Sequence, residues 1–151
     1  MCADRFVQIS TANFEQFVEL YQEVFNAPPW SDGWTVLAAT ERLGSFAAMP
    51  TFRGLGIFRH EQAIGLVLGW GERWVNGWLF HIKEMCVHVD YQHQGFGKKL
   101  MREFERSLAQ HGFTEVTLQT GQQAPARIFY EALGYKPRSL LTLSRPLHAI
   151  E

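Results

Sequence analysis

Apolar and polar residues change period several times along the chain, and each change marks an element. Residues 5–10, RFVQIS, read as a first strand. Phe14, Phe17, Val18, Tyr21 and Phe25 then recur at helical spacing in TANFEQFVELYQEVFN, which predicts an amphipathic helix capped by Thr11 or Asn13. APPWSDGW breaks that pattern with two prolines and a glycine. TVLAATERLGSF predicts a short second helix that ends near Gly44. Three strands follow, from GLGIFRH through AIGLVLGWGERW to GWLFHIKEMCVHV, with turns at HEQ and around RWVNG. Trp70, Trp74 and Trp78 fall at helical intervals, but Gly69, Gly71 and Gly77 place them on a hairpin instead. A glycine-rich turn, QHQGFGK, opens a helix from about Gly97 to His111, with Leu100, Phe104 and Leu108 on one stripe. TEVTLQT alternates strictly and reads as a strand. APARIFYEALGY is a helix with Pro125 in its first turn and Gly134 at its end, and SLLTLSRPL is a last strand.

This order predicts an α+β fold. Three consecutive strands favour antiparallel hairpins, and the later strand–helix–strand unit favours a parallel pair. The result is a mixed, mostly antiparallel central sheet of six to seven strands with helices on both faces. A length of 151 residues suits a single domain, 1–151, with a sizeable core.

Composition narrows the function. Hydrophobic residues make up 46% and charged residues 19%, which argues against disorder. The net charge of −1, without a cluster of Lys and Arg, provides no field for nucleic acid. Apolar runs are too short to span a bilayer, and MCADRFVQIS lacks a signal-peptide pattern, so the expectation is a cytoplasmic chain. Cys2 and Cys86 make no disulfide framework, and Cys86 reads as a reduced core thiol. The histidines have no paired ligand spacing, so no metal is expected.

The turn at Gln92–Lys98 carries the chemistry. A helix N-terminus presents N–H groups without intrahelical acceptors and a partial positive charge, and Gly95 and Gly97 leave the backbone bare. That suits an anion, most simply a phosphate, although a strand-to-helix turn also favours glycine. A dinucleotide fingerprint would need a third glycine where Leu100 stands. A nucleoside-triphosphate loop would need glycine at Gln92 and Ser or Thr at Lys99.

The pattern Q-x-x-G-x-G at Gln92–Gly97, followed downstream by ARIFYEALGYKP, resembles the acetyl-coenzyme A loop and following helix of the GNAT superfamily of N-acetyltransferases. The element order resembles that family along nearly the whole chain. The resemblance implies the GNAT-like acyl-CoA N-acyltransferase fold, with acetyl-coenzyme A as co-substrate. It assigns the pyrophosphate to Gln92, His93, Gln94, Gly95, Phe96, Gly97 and Lys98. The pantetheine arm is expected along the backbone of Met85 and Val87 as an added strand, beside a bulge in the sheet. Gln123 stands where the family often has a cofactor-binding Asn, and a homodimer is a partner the resemblance implies.

Transfer of acetyl to an amine needs an acid for the departing thiolate and a base for the amine, of which about one molecule in two thousand is neutral at pH 7. Tyr130 matches the family's usual acid; its ring is otherwise an ordinary packing group. For the base, His81 and Glu84 are equal alternatives, with a chain of waters close behind; Glu84 also suits a buried pair with an arginine. Strand alternation groups His81, Lys83, Met85 and Val87 on one face and Ile82, Glu84, Cys86 and His88 on the other. Cys86 as an acyl carrier has no sign of activation. Trp30, Asp32 and Trp34, between the first two helices, form the expected acceptor pocket for a small cationic amine. The competing reading pins both tryptophans to the core and makes Asp32 a helix cap. A protein acceptor, N-terminal or lysine, and a non-catalytic acyl-coenzyme A-binding module are the alternative functions.

Overall fold

The computed structural model describes residues 4–148, which divide after Gln119 into two compact units. In the first, strand β1 (Arg5–Gln8) leads through a 3₁₀ turn at Phe14–Phe17 into α1 (Val18–Asn26) and α2 (Val36–Ala47). Strands β2 (Phe52–Arg59), β3 (Gln62–Trp74) and β4 (Gly77–Val87) follow, then α3 (Phe96–Gln110) and β5 (Phe113–Leu118). The sheet has the order β1-β2-β3-β4-β5, antiparallel except for the parallel β4–β5 pair. The hairpin run and the crossover helix thus appear where the sequence put them.

Each face of this sheet is covered for a reason legible in the helices. Leu20, Tyr21 and Val24 of α1 and Ala39 and Leu43 of α2 pack on Leu66, Leu68 and Cys86. On the opposite face Phe104 of α3 meets Phe80 edge-on at 5.3 Å, and Phe80 meets Phe113 at 5.4 Å. Full burial of each large apolar side chain contributes about 2 kcal/mol relative to exposure.

Local details differ from expectation. Asn13 Oδ1 accepts from Ser10 N–H, and its amide donates to the Gln8 carbonyl, so it fastens the strand end and does not cap the helix. Helix α2 runs through Gly44 to Ala47; the Phe14 ring lies where a β-carbon on Gly44 would come within 3.0 Å. Gly44 is there for close packing, not for termination.

In the second unit α4 (Pro125–Ala132) begins with proline in its first turn and gives way to Gly134 at φ +100°. Among the described residues the sheet has five strands, not six to seven. Residues 139–147 form no strand among the described residues, and Leu140, Leu141, Leu143 and Leu147 are exposed. An apolar pattern makes a strand only when a neighbour completes its ladder. Cys2 lies outside the described residues. No helix among them is long and apolar enough to cross a membrane.

Candidate active site

The glycine turn is held from both ends. Gln92 Nε2 donates to the Val87 carbonyl at 2.9 Å, tying the turn to the end of β4, and Gln94 Nε2 donates to the Asp90 carbonyl at 3.0 Å. His93 (φ 61°) and Gly95 (φ 88°) both adopt left-handed backbone, which lets the chain reverse directly into α3. A β-carbon on Gly95 would meet nothing within 4 Å, so its role is conformational and the space above it is open. The first intrahelical bond is Lys99 N–H to the Gly95 carbonyl at 3.1 Å. The N–H groups of Phe96, Gly97 and Lys98 therefore have no acceptor within the helix, and they face outward at its positive end. This backbone fits a diphosphate.

Strand β4 carries a bulge upstream of the turn. Leu68 of β3 pairs with Glu84 and Gly69 with Ile82, so Lys83 has no opposite number. A β-carbon on Gly69 would stand 1.8 Å from the His81 carbonyl oxygen, and only glycine allows the bulge to form. The bulge reverses which side of the sheet follows. Upstream, His81 pairs with Trp70, whose ring touches Phe46 of α2 at 5.6 Å. Downstream, Glu84 bonds Tyr21 of α1 and Arg42 of α2. His81 and Glu84 thus share the face that α1 and α2 cover. Unbroken alternation, which set His81 with Lys83, Met85 and Val87 against Glu84, does not hold across Lys83.

The bulge coincides with a parting of strands. Pairing of β4 with β5 ends at Ile82 and Leu118, where β5 itself ends, and residues 83–87 run on without it. His88 N–H donates to the Ile64 carbonyl at 2.8 Å, toward β3. By alternation the backbone groups of Glu84 and Cys86 also turn to β3, and those of Met85 and Val87 turn to the vacated edge. The Val87 carbonyl is already taken by Gln92.

Four titratable groups on and just after β4 line up on the α1–α2 face. Glu84 Oε1 accepts from Arg42 Nε at 3.0 Å, from Arg42 Nη2 at 2.5 Å and from Tyr21 Oη–H at 3.2 Å; Oε2 carries none of these bonds. Burial opposes the Arg42 charge, but the bonds and charge of Glu84 outweigh it and raise its pKa. The Tyr21 phenol is pushed well above its ordinary value, by burial first and then by the Glu84 carboxylate. Upstream, His81 lies between Thr117 Oγ1 on Nδ1 and Glu72 Oε2 on Nε2, each at 2.5 Å. Downstream, buried His88 meets Glu23 Oε2 at 2.6 Å through Nε2 and accepts from Asp90 N–H at 3.1 Å through Nδ1. Cys86, between Glu84 and His88, has its thiol pushed up by burial and then by the Glu84 charge, which suppresses the thiolate a nucleophile would need.

The loop between α1 and α2 forms an open groove of about 440 Å³ lined by Asp32, Gly33, Trp34, Thr35 and Ala38. Trp34 is fastened through its backbone to Asn26 and Gln22, and its ring meets Tyr21 edge-on at 5.4 Å. Asp32 accepts from Trp34 Nε1 at 3.1 Å, while Thr35 caps α2. Trp30 is half-exposed and packs edge-on against Phe25. Trp34 also lies 5.3 Å beneath the Arg42 guanidinium, so the groove and the Glu84 cluster share a wall.

In the second unit, Tyr130 lies on α4 with Phe129 and Tyr135 against its ring, and Gln123 lies in the turn before that helix. Sequence reasoning did not single out Arg42, Tyr21 as a polar partner, Glu72 or Thr117. Arg42 had a signal: it falls on the stripe of Ala39 and Leu43, where a charged residue must turn inward. Glu72 and Thr117 had none, because their meeting depends on strand register.

Comparison with known proteins gives one family. A model described as an acetyltransferase (GNAT) domain matches residues 55–137, more than half of the chain. No curated protein matches the sequence. Among solved structures, an aminoglycoside acetyltransferase from an uncultured soil metagenomic sample, in complex with sisomicin, is similar at 17% identity. The match covers 98% of this chain and 97% of that one, with a TM-score of 0.72. Aminoglycoside N-acetyltransferase AAC(6')-Iy in complex with CoA is similar at 15% identity over 97% and 96% of the two chains, with a TM-score of 0.78. Ribosomal-protein-alanine N-acetyltransferase from Brucella melitensis biovar Abortus 2308 is similar at 12% identity over 97% and 100%, with a TM-score of 0.76. At these identities the likeness is one of fold.

Proposed function

Because the chain belongs to the GNAT family of acetyltransferases, we propose that it transfers acetyl from acetyl-coenzyme A to the primary amine of a small cationic molecule, by direct attack in a ternary complex. The parting of β4 from β5 beside the open start of α3 carries this reading. The N–H groups of Phe96, Gly97 and Lys98 bind the pyrophosphate, and the Gln92–Val87 bond holds the turn in position. The pantetheine arm pairs with Met85 and with the Val87 N–H on the vacated edge. That alignment sends the thioester toward the bulge at Lys83, between His81 and Glu84.

The acceptor side favours a cation. Asp32 and Glu72 add negative charge on the α1–α2 side, where the Glu84 charge is met by Arg42, and the Trp34 ring, one face of which Arg42 already covers, adds aromatic surface. A similar fold crystallised with sisomicin makes aminoglycosides a first class to test. Tyr130 is the acid for the thiolate. Direct attack is supported by the suppressed Cys86 thiolate, which leaves the strand without an acyl carrier.

An assay of coenzyme A thiol release over aminoglycosides, polyamines, monoamines and peptides tests the proposal. Amine-dependent release, with acetylated amine recovered, is the expected result. Release that ignores the amine, or acetyl transferred only to peptides, overturns it.

A further inference from the structure

The Glu72–His81–Thr117 arrangement is a run of side-chain contacts across three strands, separate from the backbone ladders. Its three side chains come from β3, β4 and β5 and meet on one face, at the last residue pairs before β4 and β5 separate. The Glu72 carboxylate can only accept, so the 2.5 Å contact places the imidazole proton on Nε2. In the neutral imidazole Nδ1 is then a lone pair, which the Thr117 hydroxyl, also at 2.5 Å, is placed to donate to. The order hydroxyl, imidazole, carboxylate is that of hydrolase triads, with the ring turned over. Unlike an inert core network, it reaches solvent: the side chains of His81 and Glu72 are 31% and 47% exposed.

We propose that Thr117 is a catalytic proton shuttle that takes the proton of the attacking amine and delivers its own to His81, with Glu72 as the positioning residue. This rests on the acetyltransferase reading above. The amine nitrogen forms a bond to the thioester carbonyl carbon and becomes positively charged. Its proton passes to Thr117 Oγ as the Thr117 proton passes to His81 Nδ1, leaving an imidazolium against the Glu72 carboxylate. The C–S bond then breaks, its electron pair leaves with the coenzyme A sulfur, and that thiolate takes one proton from the general acid. The imidazolium releases its proton to solvent, which reprotonates the acid, and the sum is amide plus free thiol. Both ring nitrogens of His81 are occupied, so among the described residues Thr117 is the partner through which Nδ1 receives that proton without breaking a bond in the resting site. The other charged groups on this face include Glu115 of β5, across Leu79 from Glu72, and Glu84 of β4, held by Arg42 of α2; Lys83 stands at the bulge, and Phe46 of α2 covers neighbouring Trp70.

Thr117→Val keeps the shape of a half-buried strand residue and removes the hydroxyl. It should lower kcat about ten- to a hundredfold with the acetyl-coenzyme A KM little changed, and Thr117→Ser should restore most of the loss. Glu72→Gln should displace the acidic limb of the kcat/KM profile, and nitrogen NMR of the wild type should find the His81 proton on Nε2. Should Thr117→Val fail to fold, Thr117→Ala against Thr117→Ser makes the same comparison. An active wild type with an equally active hydroxyl-free variant overturns the shuttle alone. A His81 proton on Nδ1, or an acetyl adduct trapped on Thr117, also overturns it. A wild type inert toward every amine overturns the acetyltransferase reading and the shuttle together.

Discussion

Glu84 and Glu72 are both carboxylates beside a basic side chain on the same face of the sheet, yet their surroundings give them opposite roles. The Glu84 side chain is 9% exposed and takes three hydrogen bonds on one oxygen from Arg42 and Tyr21. The Glu72 side chain is 47% exposed and holds a single imidazole. Removal from water makes an unpaired charge costly, so the first cluster is fixed by the penalty of breaking it. The second is cheap to break and free to move protons. A residue's type does not decide between support and chemistry; access to water does.

The sharpest way to break the comparison is at Arg42. Arg42→Ala leaves the Glu84 charge buried without its partner and should cost about 3 kcal/mol in chemical denaturation. Pairing Arg42→Met with Glu84→Leu removes both charges and should recover most of that loss. If the single and double variants are equally unstable, the cluster is not an ion pair that matters to folding.

Tyr21→Phe probes the same cluster more gently, and should cost about 1 kcal/mol at neutral pH for one hydrogen bond. It also has a pH signature. The folded-state pKa of Tyr21 is raised, so the folded form resists ionisation. Its contribution is fully present below the unfolded value of about 10 and falls as pH rises from there toward the folded pKa. The loss of stability between wild type and variant should therefore shrink above about pH 10, measured by paired denaturation curves. A constant difference would place the phenol in a solvated site.

The smallest stability effect belongs to Glu72. Glu72→Gln should change unfolding free energy by less than about 1 kcal/mol, since an exposed pair contributes little. A change as large as that of Arg42→Ala would erase the distinction between the clusters.

Local pattern made the fold and the turn at Gln92–Lys98 readable. The hairpins, the crossover helix and α4 with Pro125 all follow from period and punctuation. The face of β4 did not follow, and the cause is physical. Ile82 and Glu84 are both buried, on opposite sides of a sheet covered on both faces, so alternation cannot register the reversal at Lys83. Glu84 suited an arginine partner, but Arg42 lies 42 positions away in sequence. The last strand was overread because leucine spacing at residues 140–147 gives strand character without giving a neighbour.

The unpaired residue at Lys83 acts on β4 as a half-step acts on a wave. Everything before it is out of phase with everything after it. Residues 81 and 84, an odd interval apart, become neighbours along one side at roughly 10 Å, the rise of three extended residues. Gly69 is the fixed point that sets this phase, because its missing side chain leaves room for the displaced His81 carbonyl. The positions along β4 are therefore not interchangeable under insertion or deletion. Removing one residue at the bulge would leave a regular strand with His81 and Glu84 still on one side, two positions apart, whereas drawing Lys83 back into regular pairing would turn His81 away from Glu84 to the side that α3 covers.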